Sequence, residues 1–318
     1  MKLTIILTVY NKEQYLRRAM HALLNQINAD TDVYEVLAVN DGSTDGSAAI
    51  LEEYANRDTR VRILTQHNQG LSMARNNGVE AASGQYVWFV DADDAISLNA
   101  VNLICNAIKS NPDVIPIYAQ TEGIDKVRNA VKPDAKTGKD IIVNGNWAVC
   151  GVFNVFKKEF LKENNLRFIP GIYHEDAEFT PRVLYTAKTV KVVPEILYTV
   201  YRDPNSITQV PRPKRAFDYL IVTESLSEFV VDNNEEGTTL GRSIDDCTAQ
   251  FINNAFGIIR RNDKISQQQF EKDFYKKRKK LLRVLKSASK LKYKIEAFWI
   301  GLFPKHCISV YKIMRRFE

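Results

Sequence analysis

The chain has 318 residues, 45% of them apolar and 26% charged, which are the proportions of a soluble globular protein long enough for one large α/β domain and a smaller appendage. No window approaches the roughly 18 apolar residues of a membrane-spanning helix, and four scattered cysteines without metal-ligand spacing read as reduced and cytoplasmic, not as a disulfide framework. The net charge of +6 is unevenly divided: residues 272–318 hold 15 Lys or Arg against 3 Asp or Glu, a net of +12, leaving 29 against 35, a net of −6, for residues 1–271.

In chain order, "MKLTIILTVYN" has a short apolar run with no small-residue cleavage site and passes directly into "NKEQYLRR". It reads as a buried parallel strand, not a signal peptide. A helix is predicted over 13–27, with Tyr15, Leu16, Ala19, Leu23 and Leu24 on one face. Strands at "YEVLAVND", "VRILTQ", "QYVWFVD" and "DVIPIYA" then alternate with helices at "SAAILEEYANR", "LSMARNNGVEAA" and "AVNLICNAIKSN". Continuous apolar strands separated by helices predict an α/β fold with a mostly parallel sheet covered on both faces. In such sheets ligands bind beyond the carboxyl ends of the strands.

Residues 121–146 are polar and rich in turn formers, and read as an excursion from the sheet that forms a mobile flap. Helical spacing returns near 157–164 and again in "HEDAEFTPRVLYTAK". "TVKVV" and "ILYTVYR" look like paired strands, and from about Pro211 the pattern is helical to the end. This predicts a catalytic domain over 1–210 and a helical C-terminal region over 211–318.

Three strand ends offer polar groups: Thr8, Tyr10 and Asn11 in "TVYN", Asp41 in "VNDGSTD", and Asp91, Asp93 and Asp94 in "VDADD". Gly42 permits a sharp turn, and Asp45 is suited to cap the helix that follows. Singly, an N-D-G-S or a D-x-D is more often an ordinary turn than a site. Together they converge on one edge of one parallel sheet. A planar aromatic, an acid that accepts an N–H and paired carboxylates suit a nucleobase, a ribose and a metal-bound diphosphate. Neither a G-x-x-x-x-G-K-[ST] loop nor a G-x-G-x-x-G after the first strand is present, which argues against Walker-type and dinucleotide sites.

"TVYNKEQYL", "VNDGSTDGS", "NQGLSMARNNGVEAASGQYVWFVDADD" and "YHEDAEF", in this order and spacing, resemble glycosyltransferase family 2 of the bacterial envelope or capsule type. The resemblance covers roughly residues 1–208. It implies the A-type nucleotide-sugar transferase fold, with Tyr10 stacking on the base, Asp41 accepting from a ring N–H, and Thr8 and Asn11 nearby. Arg75 would approach the nucleotide or its diphosphate. Asp91 would lie near the ribose and Asp93 would engage Mn²⁺ or Mg²⁺, with Asp91 as a second metal partner and Asp94 supporting the turn. Asn40 stands where many relatives have Asp.

The same resemblance assigns Asp176 as base for the acceptor hydroxyl, supported by Glu175 and His174. Acids in a first helical turn also suit the helix dipole without any catalytic role. Arg202, in "YRDPNSIT", would neutralise the diphosphate or bind acceptor, although an exposed salt-bridging arginine is an equal reading. The implied reaction is an inverting transfer from a nucleotide sugar, most simply a UDP-sugar, to a glycan or lipid-linked acceptor. A nucleotidyltransferase of related fold and a non-catalytic sugar-nucleotide-binding scaffold are the alternatives.

The tail adds Phe274, Leu281, Leu282, Leu285 and Leu291 at helical spacing and an apolar patch in "AFWIGLF". A solvated basic face on a packing helix, contact with anionic membrane and nucleic-acid binding are the three readings. Membrane contact is preferred, because positive charge and interfacial aromatics act together and no nucleic-acid-binding module accompanies the charge. This predicts a cytoplasmic chain, peripheral on the inner face of the cell membrane.

Overall fold

In the computed structural model, which describes residues 1–202 and 212–315, the first two apolar runs are buried along their whole length. Strands β1 (Leu3–Val9) and β2 (Tyr34–Asn40) pair in parallel, and β1 also pairs in parallel with β4 (Tyr86–Asp91). Strand β3 (Val61–Thr65) completes the parallel set outside β2. A strand buried at every position is covered on both faces, which is why these runs are apolar without alternation. The helices between them are α1 (Glu13–Leu24), α2 (Ser47–Arg57) and α3 (Leu71–Ala81). At Gly78 of α3 an added Cβ would stand 2.5 Å from Ile6 Cγ2, so the lack of a side chain sets how closely this helix meets β1.

Beyond β4 come β5 (Ala95–Ile96), α4 (Ala100–Ile108), β6 (Val114–Thr121), β7 (Ile124–Arg128), α5 (Gly138–Asn144), β8 (Asn154–Lys157) and α6 (Lys158–Glu163). Helix α7 (Glu175–Thr186) and strand β9 (Val193–Val200) follow. The sheet runs β3-β2-β1-β4-β8-β6-β9-β5, with β7 paired to β6. It is mixed: β8 lies antiparallel between β4 and β6, β9 runs parallel to β6, and β5 is antiparallel to β9.

Two sequence expectations are corrected. Residues 121–146 are not a bare excursion, because β7 pairs with β6 and α5 is closed by a reciprocal cap. Thr137 Oγ1 accepts from the Asp140 amide at 3.1 Å, and Asp140 accepts from the Thr137 amide at 2.8 Å. "TVKVV" and "ILYTVYR" are not a strand pair but supply the single strand β9, with Val190 forming only an isolated bridge to Val114. The free edge of β6 captures β9 across a distance in sequence that local pattern does not reveal.

The chain divides into two units, Met1–Gly171 with Val183–Pro204, and Ile172–Arg182 with Asn205–Glu318. The predicted boundary at 210/211 and residues 203–208 of "YRDPNSIT" lie outside the described residues. The second unit contains α8 (Pro213–Asp232), α9 (Thr239–Ile259), α10 (Lys264–Ser287), α11 (Leu291–Leu302) and α12 (Cys307–Met314). Pro213 opens α8, where a missing N–H costs nothing, and Asp263 caps α10 by accepting from the Ser266 amide at 2.8 Å. Phe256 gathers Phe270, Phe274 and Tyr311 within 4.7–5.6 Å between ring centroids. Phe274, Leu281 and Leu285 of the predicted amphipathic stripe are therefore core residues. All four cysteines are free, and no helix among the described residues is long and apolar enough to cross a membrane.

Candidate active site

Register brings the polar strand ends together. Val9 pairs with Asn40 and Thr8 with Asp91, so β1, β2 and β4 release Tyr10, Asp41 and Ala92 along one edge. The turns after β1 and β2 are strapped to each other. Asn11, in the left-handed region at φ 52°, accepts from the Thr44 amide at 2.8 Å, and its own amide donates to Ser43 Oγ. Asp45 accepts from the Ser47 and Glu13 amides, each at 3.0 Å, while Glu13 accepts from the Gly46 amide at 2.8 Å. Tyr10 stands out from this scaffold, 47% exposed.

Asp41 is buried and accepts three hydrogen bonds from the loop before α3: Gln66 Nε2 and the Gln69 amide, each at 2.8 Å, and the Gly70 amide at 2.9 Å. The side chain thus fixes the loop that faces the β2 turn. Gly42 lies at φ 70°, and an added Cβ would fall 2.9 Å from the Asn68 amide nitrogen.

The three acids at the end of β4 occupy different environments. Asp91 accepts from Arg75 at 3.1 Å and from Thr8 Oγ1 at 3.5 Å. Arg75 is only 1% exposed and lies over Phe89 and Phe168, so its guanidinium reaches the edge through Asp91. Asp93 accepts from Lys12 Nζ at 2.5 Å, and its carbonyl accepts from Arg18, whose guanidinium stacks 3.7 Å above the ring of Tyr201. Asp94 is buried, accepting from Tyr198 Oη at 2.8 Å and the Tyr201 amide at 2.9 Å. The Tyr198 hydroxyl in turn accepts from the Asp91 amide at 3.1 Å. Burial first, then the negative charge of Asp91, pushes the Asp94 carboxyl up to about 7.

A divalent cation fits this donor set. Asp91 and Asp93 are partly exposed, their joint field opposes ionisation of Asp94, and a cationic ammonium already rests on Asp93. Among the described residues no three His, Cys, Asp or Glu side chains form an enclosing cage. Mg²⁺ and Mn²⁺ need none where one or two carboxylates act with substrate phosphates.

Within the C-terminal unit, the turn before α7 is fastened to α8. The Tyr173 amide donates to Asp218 at 2.8 Å, and His174 stacks on Tyr219 with 3.8 Å between ring centroids. Glu175 and Asp176 open α7, with Glu175 buried and Asp176 half-buried. Glu178, the third acid, is committed to Arg182 at 2.6 Å and to Ser225 at 2.8 Å. Arg202 is exposed. Lys12, Arg18, Tyr198 and Gln66 were not singled out in the sequence. Lys12, directly after "VYN", was the most readable of them, whereas Tyr198 meets the acids only through the β9 pairing.

The family model described as "Glycosyl transferase family 2" matches residues 4–165. An uncharacterized glycosyltransferase of Escherichia coli, YibD, is 31% identical over 66% of this chain and 64% of its own length. A poly(ribitol-phosphate) beta-glucosyltransferase of Bacillus spizizenii is 28% identical over 82% of this chain and 41% of its own length. The chain thus spans a little under two thirds of YibD and well under half of the second relative. In structure, S. aureus TarS 1-349 in complex with UDP-GlcNAc superposes with a TM-score of 0.78 at 19% identity, covering 100% of this chain and 93% of that 1-349 fragment. The fold is the A-type glycosyltransferase fold, with helices following the sheet domain.

Proposed function

The chain belongs to glycosyl transferase family 2, and on that premise we propose that it transfers a sugar from a UDP-sugar to a hydroxyl of an envelope glycan or lipid-linked acceptor, with inversion. The observation that carries this reading is the in-register delivery of Thr8, Asp41, Asp91 and Asp93 to one sheet edge beside the exposed ring of Tyr10. UDP-GlcNAc bound to TarS on the same fold supports uridine as the nucleotide. The beta-glucosyltransferase of poly(ribitol-phosphate) among the relatives supports an envelope acceptor. On this proposal the enzyme works at the inner face of the cell membrane.

Tyr10 stacks on the base, and Asp41 holds the loop over residues 66–70 while presenting the remaining acceptor site on Oδ2 to a ring N–H. Asp91 takes the ribose side, with Arg75 orienting it. Asp93, with Asp91 as its partner, would hold Mn²⁺ or Mg²⁺, which when bound neutralises charge on the diphosphate. Lys12 and Arg18 add positive charge at the same edge, and Arg202 is a third candidate for contact with the leaving group. The acceptor oxygen bonds to the anomeric carbon as the bond to the diphosphate oxygen breaks and that oxygen leaves with the electron pair. The hydroxyl proton passes to the Asp176 carboxylate, with Glu175 and His174 in support.

A donor screen read by nucleotide release tests this. UDP-sugars should turn over and GDP-sugars should not, and both Asp93→Ala and Asp176→Asn should lower turnover by about a hundred-fold or more. Only Asp176→Asn should retain normal UDP affinity. Undiminished turnover in either variant contradicts the role given to that residue.

A further inference from the structure

We propose that the outer face of α11 is a membrane-insertion surface that seats the C-terminal unit on an anionic bilayer, with a basic cleft at its flank receiving lipid phosphate. The proposal deepens the reading above and rests on it for the acceptor's location. The contact itself is measured without donor or acceptor, so either can fail alone.

Helix α11 is apolar on two opposite sides. At 3.6 residues per turn, Tyr293, Glu296, Ala297 and Ile300 share one face, and all four are buried in the unit. Tyr293 Oη meets Gln250 at 3.0 Å, and Glu296 accepts from Asn253 at 2.8 Å and Arg315 at 2.9 Å. Leu291, Ile295, Phe298, Trp299 and Leu302 fall within an arc of about 100° on the other side. They are solvent-exposed: Leu291 at 70%, Phe298 at 60%, Leu302 at 54% and Trp299 at 46%. Scattered exposed apolar residues need no explanation, but a continuous stripe of Leu, Ile, Phe and Trp does.

Charge identifies the occupant. On the same helical wheel Lys292 and Lys294 border the stripe on its two sides, and both are exposed. Gly301, on the Lys294 side, opens onto a cleft of about 680 Å³ lined by Arg278, Lys279, Arg283 and Lys286 against the single acid Glu236. Arg283 is committed to Asp245, and Arg278 donates to the Tyr275 carbonyl. Lys279 and Lys286 are exposed and have no ion-pair partner among the described residues. An interfacial aromatic stripe with lysines on both margins suits the acyl–headgroup boundary, where the stems lie on the apolar side and the ammonium groups reach phosphate. A second copy fits less well, since a two-fold interface through this face would set its lysine margins against each other.

The structure also moves the contact away from α10. That helix carries the densest charge, yet Phe270, Phe274, Leu281, Val284 and Leu285 are core, Ile265 is exposed singly in its first turn, and Lys277 and Lys280 pair internally with Glu224 and Glu228.

The test uses the full chain with vesicles of phosphatidylglycerol and phosphatidylcholine, or of phosphatidylcholine alone, at about 0.1 M salt. Binding should require phosphatidylglycerol, and brominated acyl chains should quench a component of the emission that Trp299→Phe removes, while the emission left from fully buried Trp88 and half-buried Trp147 of the sheet unit should be unquenched. The pair Phe298→Asp and Trp299→Asp lies outside the core, so circular dichroism should be unchanged while partitioning falls by about ten-fold or more. Lys279→Glu with Lys286→Glu should remove the preference for anionic lipid. Wild-type protein that stays unbound, binding indifferent to the Asp pair, or an unquenched Trp299 overturns the proposal. So does a dimer that the Asp pair dissociates in the absence of any vesicle binding.

Discussion

His174 holds its imidazole flat against Tyr219, and burial first, then the positive charge of Arg215, pushes its pKa down to about 4 from an ordinary value near 6.5. The folded ring is therefore neutral where the unfolded ring is already protonated. Its contribution to stability is complete above pH 6.5 and is lost as pH falls toward 4, by up to about 3 kcal/mol. Thermal unfolding of the wild type should show this loss. His174→Asn, which tolerates the left-handed backbone at φ 63°, should flatten the slope across that window. A slope unchanged by the substitution would assign the acid sensitivity to other groups. The sequence displayed His174 beside Glu175 and Asp176 but not the ring beneath it, because Tyr219 lies 45 positions away on α8.

At the scale of the elements, the turn after β2 ties the nucleotide reading to backbone geometry. Gly42 combines φ 70° with a close approach to the Asn68 amide, on the loop that Asp41 holds at Gln66, Gln69 and Gly70. Gly42→Ala should cost about 1–3 kcal/mol through backbone strain and displacement of that loop. UDP affinity should fall with it although Asp41 is retained, as read by calorimetric titration. Strands β1 to β4 and helices α1 to α3 were legible because their burial is one-dimensional, a buried strand being apolar throughout and a covered helix apolar every third or fourth residue. Strands β7 and β8 were not, because short or half-polar runs become strands only when an existing edge accepts them, and for β9 the strand at "ILYTVYR" was legible but its partner β6 was not.

Over the whole molecule, the acidic body and basic tail resolve into specific pairings. Arg283 grips Asp245 through two hydrogen bonds at 2.9 and 3.0 Å inside the helical unit, where Asp245 is buried. Removing the cation alone strands a carboxylate that burial already disfavours. Arg283→Met should therefore destabilise the protein by about 3–5 kcal/mol in urea denaturation. Adding Asp245→Leu should restore much of the loss, and a double variant as unstable as the single one would show that the arginine acts through packing. A charge count gave no hint of such pairs, since it treats Arg283 and the exposed Lys286 alike.

Local pattern determined the alternation of strands and helices, the polar ends of β1, β2 and β4, and the excess of positive charge after residue 271. Each follows from which side chains leave water and which backbone turns glycine permits. Only the tertiary structure decided that Arg75 is hydrogen-bonded to Asp91, that Asp94 is tied down by Tyr198 and Tyr201, and that Lys12 rests on Asp93. It also decided which of two apolar stripes in the tail is core and which remains exposed. Periodicity reports that a helix has an apolar face, whereas burial depends on whether another element is there to cover it.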